Sequence, residues 1–84
     1  MALLNKPNPF RDMTIITISS EREEEAVLRV YDLNGKIVHT RSLHLVKGEN
    51  ECVVHKSDLK IAGMYTYEIE SGFQYSTNRM IIVD

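Results

Sequence analysis

Residues 31–36, Tyr-Asp-Leu-Asn-Gly-Lys, separate two segments that are rich in β-forming residues. Asn-Gly is a strong signal for a two-residue hairpin, because a type I′ turn needs φ > 0 at both central residues. We therefore predict antiparallel strands over residues 26–33 and 36–45, joined by a turn in which Asn34 and Gly35 both have positive φ.

The residues around this turn have structural explanations. Asp32 is expected to accept hydrogen bonds from backbone amides of the turn. Tyr31 is expected to cover the sheet edge with its hydroxyl in water. Lys36 begins the second strand.

Alternation of apolar and polar residues predicts further strands on both sides of the hairpin. We expect one over residues 13–18 and others over 51–55, 63–69 and 73–83, with a turn at 47–50 and one helical turn at 57–59. Short strands separated by turn signals, without an amphipathic helix, indicate an all-β fold: a small antiparallel immunoglobulin-like β-sandwich of six or seven strands. Its predicted core is Ile15, Leu28, Val30, Ile37, Val53, Leu59, Tyr65, Tyr67, Ile69, Met80 and Ile82.

The composition excludes several classes of function. With 84 residues the chain makes one small domain, and its net charge of −2 argues against nucleic-acid binding as a general property. His39 and His44 are five positions apart on one strand and thus on opposite faces, so we expect no metal site. Cys52 has no orienting group or oxyanion donor that can be named, and we expect neither catalysis nor a cofactor.

Four pieces of sequence occur in a fixed order: Pro7-Asn8-Pro9, the segment around the Asn-Gly turn, Gly63-x-Tyr-x-Tyr, and a short strand at the end. Together they resemble the C-terminal sorting domain of the type IX secretion system of Gram-negative bacteria, in its common type A form, over roughly residues 5–84. The residues that carry the resemblance, which we interpret as determinants of the fold, are Pro7, Asn8, Pro9, Tyr31, Asp32, Asn34, Gly35, Lys36, Gly63, Tyr65 and Tyr67.

The resemblance implies a function in export. Such a domain sits behind a larger cargo protein, crosses to the periplasm with it, and is recognised by an outer-membrane barrel protein that carries the cargo onward. A cell-surface sortase commonly cleaves the domain, and the cargo is anchored to lipopolysaccharide or released. The alternative from another class is an immunoglobulin-like adhesion or ligand-binding module without a role in export.

The last strand is where recognition is expected. Its apolar residues do not alternate with polar ones, which fits either a strand buried on both faces or a second apolar face offered to another protein. The resemblance favours the second explanation and assigns recognition to Arg79, Met80, Ile81, Ile82, Val83 and Asp84. The family pattern typically has Lys where Arg79 stands and often ends on a basic residue, whereas this chain ends in Asp84.

The first residues predict how the domain is connected. Two prolines close together disfavour helix and central strand, so we expect an extended lead-in over residues 1–12, anchored by Phe10, before the sandwich of residues 13–84. No signal peptide or long apolar run is present, so we expect a soluble fragment of a longer protein. Cleavage by a sortase is expected ahead of Pro7, near Asn5-Lys6.

Overall fold

The structure is a computed structural model that describes residues 1–72 and 74–84. It contains seven strands and one helical turn in the described residues, which confirms the predicted all-β fold. In chain order the elements are β1 (Ala2–Lys6), β2 (Met13–Ser20), β3 (Glu24–Tyr31), β4 (Ile37–Leu45), β5 (Gly48–His55), α1 (Lys56–Leu59), β6 (Gly63–Ser71) and β7 (Gln74–Ile82).

The strands form two antiparallel sheets that pack face to face. The first sheet has the order β1-β2-β5, and the second has the order β4-β3-β6-β7. Because side chains alternate along a strand, each strand sends one set of residues into the space between the sheets. The last strand was predicted to begin at Phe73, which lies outside the described residues. The strand β7 of the structure begins at Gln74.

The core lies between the sheets, and the prediction identified most of it. Leu28, Val30, Leu59, Tyr65, Tyr67, Ile69, Met80 and Ile82 are buried as expected. Phe10, the predicted anchor of the first residues, is also buried. Further buried apolar residues are Ile16, Ile18, Ala26, Leu45, Cys52 and Val54.

The prediction of the core is wrong for three residues. Ile15 and Val53 are partners across β2 and β5 on the outer face of the first sheet, and it is their neighbours Ile16 and Val54 that are buried. The prediction chose the wrong alternation because both faces carry apolar residues here, and a shift of one residue exchanges the faces. Ile37 is 49% exposed, since the pairing of β3 with β4 shifts between Val30 and Tyr31 and turns Ile37 outward.

The hairpin is confirmed, but its turn type was predicted wrongly. Gly35 has φ 81°, whereas Asn34 is not among the residues with positive φ. The Gly35 amide donates to the Asp32 carbonyl at 3.0 Å, and the Asp32 amide donates to the Lys36 carbonyl at 2.9 Å. This is a type I turn followed by a left-handed glycine that forms a bulge. Asp at the first and Gly at the fourth position favour a type I turn, a signal the Asn-Gly pair obscured.

The first residues are more than a lead-in. Ala2–Lys6 forms β1 and pairs with β2 from Ala2 opposite Ser19 to Lys6 opposite Ile15. The Lys6-Pro7 and Asn8-Pro9 peptide bonds are cis. The strand was missed because the nearby prolines disfavour a regular strand, whereas its pairing with β2 and its contacts with β6 and β7 arise only in the folded chain.

Side chains close both open sides of the sandwich. On one side Arg41 of β4 reaches the first sheet, where its Nη1 donates to the Val53 carbonyl at 2.7 Å, and its Nη2 lies 3.5 Å from Asp58 Oδ2. On the other side Asn78 of β7 donates to the Leu3 carbonyl of β1 at 3.1 Å. These contacts join the edges of the two sheets.

Candidate recognition site

The predicted recognition segment has one buried face and one outward face. Met80 and Ile82 are buried in the core, which makes them unavailable to a partner of the folded domain. Ile81 points outward opposite Met64 of β6, its partner in the pairing of β6 with β7. Arg79 lies on the same outward face, two residues earlier. The strand is therefore buried on one face only, and its second face carries Ile81.

The backbone edge of this segment is covered by the Pro7-Asn8-Pro9 motif. The Asn8 Oδ1 accepts a hydrogen bond from the Ile81 amide at 2.9 Å. The Asn8 Nδ2 donates to the Arg79 carbonyl at 3.1 Å. One side-chain amide thus occupies a donor and an acceptor that a neighbouring strand would use. Pro7 and Pro9 have no backbone N–H to donate, and here the donor to the Arg79 carbonyl is the Asn8 side chain.

Phe10 continues the cover along the same edge. Its amide donates to the Ile81 carbonyl at 2.9 Å, and its carbonyl accepts from the Val83 amide at 2.9 Å. Its ring is almost fully buried in the core. The edge from Arg79 to Val83 is consequently satisfied by residues near the start of the chain, and no unpaired row of backbone groups remains there.

Asp84 is held in place by two cations. Lys56 Nζ lies 2.9 Å from Asp84 Oδ1, and the Arg11 guanidinium donates to the Asp84 carbonyl oxygen. The hydrogen bond from Lys56 is the main cause that lowers the pKa of the Asp84 carboxyl below its ordinary value. In this chain the terminal acid therefore has basic partners near the helical turn and the first residues.

The residues beside the Asn-Gly turn take part in hydrogen bonds. Asp32 Oδ1 accepts from the amides of Asn34 and Lys36 at 2.9 and 3.0 Å, as predicted. The Tyr31 hydroxyl, expected in water, instead donates to Glu68 Oε1 of β6 at 2.6 Å. The prediction considered the local turn only, and Glu68 comes from a strand far away in sequence.

The two tyrosines that follow Gly63 are part of the core. Gly63 has a positive φ of 148° at the start of β6. The hydroxyl of Tyr67 donates to Asn5 Oδ1 at 3.0 Å, and Asn5 Nδ2 donates to Thr14 Oγ1 at 3.3 Å. Burial raises the pKa of Tyr67 to about 12. Tyr65 is also buried, and its hydroxyl donates to the Ile61 carbonyl at 2.5 Å.

The histidines lie apart, on opposite faces of β4 as expected. His39 contacts Arg41 on the inner side, with 3.3 Å between Nε2 and Nη2. His44 lies on the outer side between Glu25 and Glu23, whose oxygens are 2.5 and 2.6 Å from its ring nitrogens. Within residues 1–72 and 74–84, no three His, Cys, Asp or Glu side chains are grouped so that they could hold a metal ion.

Cys52 is buried, and its sulfur accepts a hydrogen bond from Arg41. The Arg41 Nη1 lies 3.1 Å from the Cys52 sulfur, but burial is the larger influence and raises the pKa of the thiol. A thiol with a raised pKa is a poor nucleophile at neutral pH.

Comparison with protein families agrees with the motif set. The family model described as "Secretion system C-terminal sorting domain" matches residues 7–83. The chain belongs to this family. No curated protein matches the sequence.

Membership defines the function of the sorting domain. The domain is a C-terminal secretion signal of the type IX secretion system. Such a signal directs the export of a cargo that precedes it in the same chain. The family is not a catalytic one, and nothing supports the alternative of an adhesion module. A secretion signal of this kind implies that the protein is exported toward the cell surface or the outside. No helix among the described residues is long and apolar enough to cross a membrane.

The structure places the predicted site residues in two groups. Arg79 and Asp84 are exposed and Ile81 and Val83 are half-buried, while Met80 and Ile82 belong to the core. The sequence did not reveal that Asn8 and Phe10 contact this segment, because those bonds join residues more than 70 positions apart. The available signal was an Asn flanked by prolines, since the prolines remove two backbone donors and the Asn side chain supplies one.

Proposed function

We propose that the secretion machinery recognises the folded domain through the outward side chains of the last segment, Arg79 to Asp84. The observation that carries this proposal is the position of Ile81, which faces outward beside Met64 while the backbone edge is already paired. Addition of a partner strand at this edge would first have to displace Asn8 and Phe10, and so cost the four hydrogen bonds that they make.

The partners follow from the family and remain part of the proposal. An outer-membrane barrel protein receives the folded domain and carries the cargo onward, and a cell-surface sortase then separates domain from cargo. The domain has the role of a substrate in both steps. Its small, closed sandwich suits this role, because it presents a fixed surface and no chemistry of its own.

Cleavage is expected on the N-terminal side of Ala2. Asn5-Lys6, near which cleavage was first expected, lies in β1, and Asn5 is buried and hydrogen-bonded to Thr14 and Tyr67. Proteases cut accessible chain rather than paired strands. A cut upstream of Ala2 leaves β1 in the sandwich and the domain intact.

The test is a reporter protein that carries a signal peptide and residues 1–84 at its C-terminus, produced in a bacterium with a type IX system. We expect the reporter at the cell surface, its retention in the periplasm when the outer-membrane barrel protein is deleted, and an uncleaved fusion when the sortase is deleted. The N-terminus of the released domain, read by mass spectrometry, should precede Ala2. Surface delivery without the barrel protein would contradict the proposed recognition step, and a cut within β1 would contradict the proposed cleavage site.

A further inference from the structure

Exposed apolar side chains gather at the end of the sandwich next to the last segment. Leu33, Ile61 and Met64 are 78%, 72% and 39% exposed, and all three line one shallow groove of about 260 Å³. Met64 is also the cross-strand partner of Ile81, so the outward face of β7 adjoins the groove at this residue. We call the set of Leu33, Ile61, Met64 and Ile81 the tail patch.

The tail patch is held in place by its backbone. Leu33 lies in the turn that Asp32 fixes with bonds to three amides, those of Asn34, Gly35 and Lys36. Both backbone groups of Ile61 are hydrogen-bonded. Its amide donates to the Leu59 carbonyl at 3.0 Å, and its carbonyl accepts from the Tyr65 hydroxyl. Apolar side chains on ordered turns lose little conformational freedom when they bind, which favours association.

Three basic residues are close neighbours of tail-patch residues in the chain. Lys36 follows the turn that carries Leu33, Lys60 precedes Ile61, and Arg79 precedes Ile81 on the same face; all three are exposed. None of them has an ion pair with a carboxylate in residues 1–72 and 74–84. Asp32 also lines the groove, but its Oδ1 is taken by turn amides.

We infer that the tail patch is the docking surface for a secretion protein that presents apolar side chains ringed by carboxylates. The inference rests on the proposed function and extends the recognised surface from the last segment to β6 and two turns. An apolar centre supplies affinity, and free cations at the rim select a partner of opposite charge and speed its approach. The partner contacts side chains, because Asn8 and Phe10 occupy the neighbouring strand edge.

The test uses the reporter fusion with four variants in two matched pairs. Met64→Glu places a charge in the patch, and Leu4→Glu makes a similar change at a 52% exposed residue on the outer face of the first sheet. Lys60→Glu reverses a rim charge, and Lys47→Glu makes the same reversal between β4 and β5, at the opposite end of the sandwich. Met64→Leu preserves an apolar side chain of similar size. Melting temperatures of the purified chains identify any variant that fails to fold.

We expect Met64→Glu and Lys60→Glu each to lower surface delivery by about tenfold, the effect of losing one good contact at an interface. Leu4→Glu, Lys47→Glu and Met64→Leu should be delivered like the parent fusion. Equal delivery of a stably folded Met64→Glu variant and its Leu4→Glu control would overturn the inference, and so would equal delivery of the two lysine variants. If Met64→Glu instead abolishes self-association in size-exclusion chromatography without changing delivery, the patch is a contact between copies and the inference is wrong. Failure of the parent fusion itself to reach the surface would refute the proposed function instead.

Discussion

The side-chain carbonyl of Asn8 accepts the backbone amide of Ile81 at 2.9 Å, across 73 positions of sequence. This bond joins the first motif of the chain to the segment in which recognition is expected. It explains why an Asn between two prolines belongs with a strand at the far end: the side chain acts as a short neighbouring strand for β7. The same contact leaves outward side chains as the accessible feature of that strand.

Asn8→Ala should destabilise the domain by about 1–2 kcal/mol, because two hydrogen bonds are removed at a partly solvated edge. Urea unfolding measures the change. Asn8→Asp retains the Oδ1 acceptor for Ile81 but replaces the donor to the Arg79 carbonyl with a charged oxygen. Hydrogen exchange of the Ile81 amide should therefore be faster in Asn8→Ala than in Asn8→Asp. Parent-like stability and exchange in Asn8→Ala would show that the bond contributes nothing.

Tyr67→Phe should cost about 1–3 kcal/mol even though the ring is preserved, because Asn5 Oδ1 loses its buried donor. Tyr65→Phe is the matched comparison, since that hydroxyl binds a carbonyl that lies nearer to water. The parent should also lose stability between about pH 10 and 12, because the unfolded chain releases the Tyr67 proton near the ordinary tyrosine pKa of 10.0 and the folded chain retains it to about 12. The loss should be smaller in Tyr67→Phe; identical alkaline profiles would contradict the buried network.

His44 should stabilise the domain at acidic pH. Both ring nitrogens face carboxylates, and the hydrogen bond to Glu25, followed by that to Glu23, raises the pKa of His44 above 6.5. A raised pKa in the folded state gives stability that is fully present below pH 6.5 and is lost as the pH rises through the raised value. Melting temperatures of the parent and of His44→Gln should therefore differ most at pH 5, and the difference should shrink as the pH rises above 6.5 through the raised pKa. A difference that does not depend on pH would contradict this explanation.

The turn between β3 and β4 should tolerate substitution of Asn34 but not of Gly35. Gly35→Val should cost more than about 1 kcal/mol, because φ 81° is unfavourable for a β-branched residue. A Cβ at this position would meet nothing within 4 Å, so strain in the backbone is the only cause. Asn34→Ala should cost little, since Asn34 does not have positive φ. A large loss in Asn34→Ala, measured by thermal unfolding, would favour the type I′ turn instead.

Local patterns predicted the fold class, the hairpin, the helical turn and the inward face of β6. Each of these depends on residues close in sequence, such as the alternation of Tyr65, Tyr67 and Ile69. The inward face of β2 could not be predicted in this way, because Ile15 and Ile16 are both suitable for either face. The choice is made by pairing with β5 and by packing against the other sheet, which local patterns do not contain.

The structure of the proposed recognition site was only partly predictable for the same reason. Its strand stands out by four consecutive apolar residues, but which of Ile81 and Ile82 faces outward depends on the register with β6. The contacts of Asn8, and the meeting of Leu33 with Met64 in one groove, arise when distant segments fold together. Motif order indicated the family, and the three-dimensional arrangement was needed to explain what each motif contacts.

The most direct measurement compares Ile81→Lys and Ile82→Lys in the reporter fusion, with cell fractionation and melting temperature measured for both. Ile82→Lys should lower the melting temperature by several degrees, because it buries an unpaired charge in the core. Ile81→Lys should melt like the parent and yet leave the reporter in the periplasm, since it alters only the outward face. A stably folded Ile81→Lys fusion that reaches the cell surface as well as the parent would contradict recognition through the outward side chains.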